Sequence, residues 1–265
     1  MSEDNHSVSL DMLVSQLQTV EHTVSEALAK RRQISSRLGE ILSNSADPIA
    51  TSILASLDRL IHLSKDEDTT PLRIWASAFP DDMAERGLEK VLVSGSEPLR
   101  IWDQARAIFG HRVHMVFDND PREVLTQCIE HDNCVGVLGW MTLAGSGQWW
   151  PVLNESRYHN LSIIGAWPVT GDETPYAAII AKGPVSAEAG SSTILIAHDD
   201  HHKVDKIFGE MDLKVREFGR ARSLVLFEIP ERVTSDDPRI KAARASGLDG
   251  LRIVGALPRY TQSGD

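Results

Sequence analysis

The chain has 265 residues, 42% hydrophobic and 25% charged, with a formal net charge of −11. That is the composition of an ordinary globular protein with room for one to three domains. The negative balance opposes non-specific binding to nucleic acid or an anionic lipid surface. It still permits a small anionic ligand held by a local arginine cluster. No run of about 18 apolar residues occurs, so no membrane span is expected. The start, MSEDNHSVSL, lacks the basic and apolar stretches of a secretory signal, and a cytoplasmic location is the expectation. Cys128 and Cys134 are spaced for neither a zinc knuckle nor a redox pair. They are expected to be buried free thiols.

Residues 9–42 predict one long helix, with Ser9 as its N-cap and Asp11 in its first turn. Leu10, Leu13, Leu17, Val20, Val24, Leu28, Ile34, Leu38 and Ile41 form an amphipathic, coiled-coil-like seam. Gly39 weakens the end of this helix. Residues 43–47 read as a turn. Asp47–Pro48 is a cap followed by proline and opens a second helix, with Ile53, Leu54, Leu57, Leu60 and Ile61 on one face. Thr70–Pro71 repeats the signal and starts a third helical piece through Leu72, Trp75 and Phe79. At 1.5 Å per residue the first helix would be roughly 50 Å long and the second about half that. The second cannot cover the whole seam, so either the third helix completes the cover or a second chain does, and a homodimer through the first helix is the expectation.

From Lys90 the pattern changes. KVLVSG, RVHMVF and CVGVLGW read as strands, separated by helices at Pro98–Phe109 and at Pro121–His131 behind an Asp120 cap. LSIIGAWPV and YAAIIAKG read as two more strands. This alternation predicts βαβ units and a largely parallel sheet. Residues 186–192, SAEAGSS, have the composition of a linker. TILIAHD, a helix from Asp200 to Met211, a strand pair over 213–229, a helix over 237–246 and LRIVGALP complete the chain. Their order, βαββαβ, is the ferredoxin-like plan.

Three stretches carry a family resemblance. VSEALAKRRQISSRLGEIL followed by LDRLIHLSK resembles the helical chorismate mutase module. KVLVSG, FDNDPREVLTQCIEHDNCVGVLGW and LSIIGAWPV resemble one lobe of prephenate dehydratase. TILIAHD through RIVGALPRY resembles the ACT regulatory domain. Together they cover nearly the whole chain, in the order of a divergent bifunctional chorismate mutase–prephenate dehydratase. The resemblance implies an α + α/β protein in three parts: all-α chorismate mutase-like helices (1–87), a central parallel-sheet βαβ lobe (88–185) and a C-terminal ferredoxin-like, ACT-like domain (190–265). It implies isomerisation of chorismate to prephenate without metal or cofactor. The alternative is a non-catalytic regulatory or scaffold protein that binds an aromatic amino acid or a shikimate-pathway intermediate.

Chorismate is a dicarboxylate whose rearrangement needs a pocket that clamps both carboxylates and stabilises charge on the breaking ether bond. Arg31 falls on the apolar seam, where a charge must find an anion, and it matches the family's arginine in Ala29-Lys30-Arg31-Arg32. It is the candidate catalytic residue. Arg32, Arg37, Lys65 and Arg73 are candidates for substrate binding, Arg32 and Arg37 being placed more outward. The chain departs from the family elsewhere. Val14 replaces the first-helix arginine, Leu42 or a neighbour the lysine, and Ser52 and Ile53 an arginine–glutamate pair. The third-helix serine and glutamine have no clear counterpart, Asp82 and Arg86 lying nearby. In the dehydratase-like part Thr174-Pro175-Tyr176 stands where the family has T-R-F, and only one lobe fits, so dehydratase activity is not expected. In the ACT-like part Arg220, within Phe218-Gly219-Arg220-Ala221, is the candidate for an effector carboxylate. His198-Asp199-Asp200-His201-His202 reads as helix-capping aspartates rather than a metal site. Gly145-Ser146-Gly147 before Trp149-Trp150 lacks the spacing of a phosphate or dinucleotide loop.

Overall fold

The computed structural model describes residues 10–42, 44, 47–63, 70–140, 148–167, 175–183 and 192–257. Three helices come first: α1 (Leu10–Leu42), α2 (Pro48–Leu63) and α3 (Thr70–Glu85). The α/β part follows as β1 (Lys90–Ser94), α4 (Pro98–Phe109), β2 (His114–Phe117), α5 (Pro121–Glu130), β3 (Cys134–Gly139), β4 (Leu161–Trp167) and β5 (Ala177–Lys182). Two short 3₁₀ turns, Trp150–Asn154 and Ser156–Tyr158, precede β4. The chain closes with β6 (Ser192–His198), α6 (Val204–Gly209), β7 (Arg216–Ala221), β8 (Leu224–Ile229), α7 (Pro238–Ala245) and β9 (Arg252–Leu257).

Helix boundaries follow local chemistry. Asp120 caps α5 by accepting a hydrogen bond from the Arg122 amide at 2.8 Å, with Pro121 set for the first helical position. Asp237 and Pro238 repeat this arrangement at α7. Asp120→Ala is expected to lower stability by about 1 kcal/mol, read as a small fall in the denaturant midpoint.

The strands form one mixed sheet in the order β2-β1-β3-β5-β4-β9-β6-β8-β7. The expectation of a largely parallel sheet is met across β2-β1-β3, where the connections are crossover helices, and at one further joint. β5 then runs antiparallel to both β3 and β4. β4 meets β9 in parallel, centred on Ile163 and Gly255. The other joints among β9, β6, β8 and β7 are antiparallel. Gly255 is required at the β4–β9 joint, because a Cβ there would lie 2.5 Å from the Ile163 Cβ and 2.6 Å from its carbonyl oxygen.

The core is not parcelled helix by helix. Ile53 and Leu57 of α2 and Phe79 and Met83 of α3 share one apolar cluster with Val91 and Val93 of β1 and with Ile108 and Phe109 of α4. Leu57 sits where a Cβ on Gly165 of β4 would otherwise be, and the Phe79 and Phe109 rings are 5.9 Å apart. α2 and α3 therefore turn their apolar faces onto the sheet rather than onto α1. Within α1 the one buried residue is Ser35. Leu10, Leu17 and Val20 remain 74%, 59% and 58% exposed, so the third helix does not complete the cover of the seam. The opposite face of the sheet carries α5 and both 3₁₀ turns, and α6 and α7 cover β6 and β8.

The helix expected from Asp200 is shorter and starts at Val204. His202 takes a positive φ of 53°, which breaks any helix through 200–203. Asp199 supplies the cap from outside, accepting from the Lys203 amide at 2.7 Å.

Candidate functional site

Because α2 and α3 lean on the sheet, the second half of α1 meets them across a gap. This gap is a cavity of about 450 Å³ between the three helices. α1 contributes Ala27, Lys30, Arg31, Ile34, Ser35 and Leu38, at the three-and-four spacing that puts residues on one helix face. α2 contributes Ala55, Ser56 and Arg59. Trp75, Asp82 and Arg86 come from α3 and its C-terminal turn. Four cations thus face one lining carboxylate.

Arg31 and Asp82 form a forked pair, Nη1 to Oδ1 at 3.2 Å and Nη2 to Oδ2 at 2.6 Å. The Asp82 side chain is 7% exposed and that of Arg31 23%. Arg86 lies one turn beyond Asp82 and donates from Nη2 to the Ser35 hydroxyl at 3.0 Å. Among the described residues its buried Nε and Nη1 have no hydrogen-bond partner. Burial pulls the Arg86 guanidinium below its ordinary pKa. Asp82 raises it again, Arg31 lowers it, and Glu85 adds a weaker upward pull. An arginine still stays charged at neutral pH, so the cavity holds a cation whose hydrogen-bonding capacity is largely unused. Gly39 makes this placement possible, since a Cβ there would meet the Arg86 Cγ at 3.3 Å. On the apolar wall, Trp75 is buried and stacks on Phe79, with ring centroids 5.0 Å apart.

Of the candidates from sequence, Arg31 lines this cavity, but its fork is filled by Asp82. Arg32, Arg37 and Arg73 are exposed and stand outside the lining. Lys65 lies outside the described residues. Lys30, Arg59 and Arg86 were not singled out as site residues by the sequence reading. The spacing of Asp82 and Arg86, four apart on one face of α3, was the available signal.

The other candidates lie elsewhere. Arg220 donates to the Asp199 carbonyl at 2.9 Å, to the Asp199 carboxylate at 3.1 Å and to Glu217 at 2.8 Å, so its fork is already engaged. In the dehydratase-like part, Thr174 and Gly145-Ser146-Gly147 lie outside the described residues. Tyr176 lies beneath the Arg100 guanidinium, 3.6 Å from its ring centroid. Trp149 and Trp150 are buried packing residues, and Trp149 donates to the Gly139 carbonyl at 2.7 Å. Cys128 and Cys134 are free and buried, with sulfurs 3.9 Å apart. Among the described residues no group of three or more side chains is placed to hold a metal ion, and no helix is long and apolar enough to cross a membrane.

The chain is thus a mixed α/β protein with a cation-lined cavity among its leading helices. No protein-family model and no curated protein matches its sequence. Among solved structures, a prephenate dehydratase from Streptococcus mutans aligns with 65% of this chain and 98% of its own, at 10% identity and a TM-score of 0.46. GqqA, described as a novel type of quorum quenching acylase, aligns with 64% of this chain and 94% of its own, at 12% identity and a TM-score of 0.43. Likenesses of that strength carry neither substrate nor activity to this chain.

Proposed function

We infer that the helical pocket is a ligand site for a small carboxylic acid, and that the chain is a divergent chorismate mutase-type protein whose ligand is chorismate or prephenate. The observation that carries this reading is the Arg86 guanidinium, set in a cavity with two nitrogens unpartnered. A buried cation in that state is costly unless an anion joins it. Arg86 meets one ligand carboxylate, with Lys30 and Arg59 at the rim adding attraction. Trp75, Ile34 and Leu38 pack the ring. If the protein turns over chorismate, the step is an intramolecular rearrangement held in place by these groups, with no cofactor.

One observation favours the second reading, a regulatory or scaffold protein. Arg31, the residue most like the family's own, is paired with Asp82 rather than open. The antiparallel strand order β9-β6-β8-β7, with α6 and α7 on one face, supports an ACT-like C-terminal part in either case. The bare seam of α1 supports a homodimer through that helix, tested by light scattering at micromolar concentration.

The deciding experiment pairs a chorismate-disappearance assay with calorimetric titration of chorismate. Binding is expected in the wild type and is expected to fall about tenfold or more in Arg86→Gln, the loss of a charge-assisted contact. Turnover above the uncatalysed background selects the mutase, and binding without turnover selects the regulatory protein. Chorismate affinity unaffected by Arg86→Gln would remove the pocket from both.

A further inference from the structure

We propose that Asp82 is a built-in occupant of the pocket, and that the resting site therefore grips a ring-bearing acid through a single carboxylate. A second ligand carboxylate is admitted only when Asp82 leaves Arg31. This inference rests on the reading of the cavity as a ligand site.

The two arginines are in opposite states although they face the same space. Both terminal nitrogens of Arg31 are matched to both oxygens of Asp82, at 3.2 and 2.6 Å, the geometry by which a guanidinium grips a ligand carboxylate. Asp82 thus stands where a second ligand carboxylate would go. Arg86 has the Ser35 hydroxyl as its hydrogen-bond partner, while Nε and Nη1 have none. One anion locus is filled from within, and at the other no described side chain supplies an anion. Around them the wall is apolar: Trp75, Ile34, Leu38 and Ala55. Such a pocket grips an aromatic or alicyclic ring through one carboxylate. Asp82 lies on α3, its side chain nearly excluded from water, with the Arg86 guanidinium one turn on.

The test uses the full chain and two simple probes, benzoate with one carboxylate and isophthalate with two, titrated by calorimetry. The wild type is expected to bind both with similar affinity. In Asp82→Asn, which keeps the side-chain volume, isophthalate is expected to gain about tenfold over benzoate, one charge-assisted contact. The double variant Arg31→Gln/Asp82→Asn is expected to lose that gain, which a general change in charge would not explain. A wild type that already prefers isophthalate by about tenfold would mean that Arg31 is open at rest, and overturns the proposal. So does an unchanged preference in Asp82→Asn. If that variant does not fold, the wild-type ratio alone decides. Failure of both probes to bind, or binding unaltered by Arg86→Gln, overturns the ligand site itself together with this inference. Binding of both probes with the wrong ratios overturns only the role of Asp82.

Discussion

Asp82→Ala is expected to melt well below the wild type, and below Arg31→Ala. The two variants delete opposite ends of one ion pair, yet their effects differ because of what remains. Without Asp82, Arg31 and Arg86 face each other across the cavity with no shared anion, and the charge of Arg31 already disfavours the charged form of Arg86. Breaking a buried pair from one side costs about 3–5 kcal/mol. Water reaches Arg31, so the lower end, about 3 kcal/mol, is the expectation for Asp82→Ala. For a chain of this size that is a fall of roughly 6–12 °C. Without Arg31, Asp82 keeps Arg86 one turn away, and a cost of about 2 kcal/mol is expected. Thermal midpoints in a buffer free of carboxylates, phosphate and sulfate make the comparison. The reverse order would mean that Arg86 does not sense Asp82.

Gly255→Val should be more damaging than its distance from the pocket suggests. At Gly255 the backbones of β4 and β9 approach so closely that a side chain would enter the Ile163 carbonyl. Ile163 cannot retreat, because β4 is held on its other edge by β5, from Leu161 to Trp167. Register shifts flank the contact on both sides, at Ile163/Gly165 and at Ile194/Leu195. Overpacking of this kind costs about 3 kcal/mol or more when backbone must move. Hydrogen exchange should report faster exchange in β9 and β4, with β1 and β3 protected. A variant with wild-type midpoint and wild-type exchange would show that the joint tolerates separation.

The helices and strands of this fold were legible because their signals are local. Pro98–Phe109 and the Asp120 cap appear as the sequence reading places them, since proline and cap chemistry act within a few residues. The sheet order was not legible. β4 pairs with β9 some ninety residues later, and no periodicity records a partner that distant. The pocket was half legible. Arg31 stood out as a charge on an apolar seam, and it does find an anion. Arg86 did not stand out, because it lies just past the end of α3 and only its four-residue spacing from Asp82 ties it to the pocket. Gly39 held the missing hint. It costs α1 helix propensity and leaves room for the arginine stem that crosses it closely. The short α6 was misjudged because Asp199 caps it from a bent approach through His202, which no spacing rule encodes.

The rims of the nine-stranded sheet bear on how copies of this chain can meet. An open strand edge invites another chain to add a strand, and folded proteins blunt such edges with brevity, charge or a kink. β2, at one rim, is only four residues long and begins with the exposed His114. β7, at the other, carries Arg216, Glu217 and Arg220 and is kinked where its register shifts between Glu217 and Gly219. Both rims are poor templates for strand addition. The sheet resists growing sideways into fibres, which leaves the leucine and valine row of α1 as the surface for the dimer proposed above. Contact between copies in that dimer would be made by side chains on a preformed helix, which can part again on dilution.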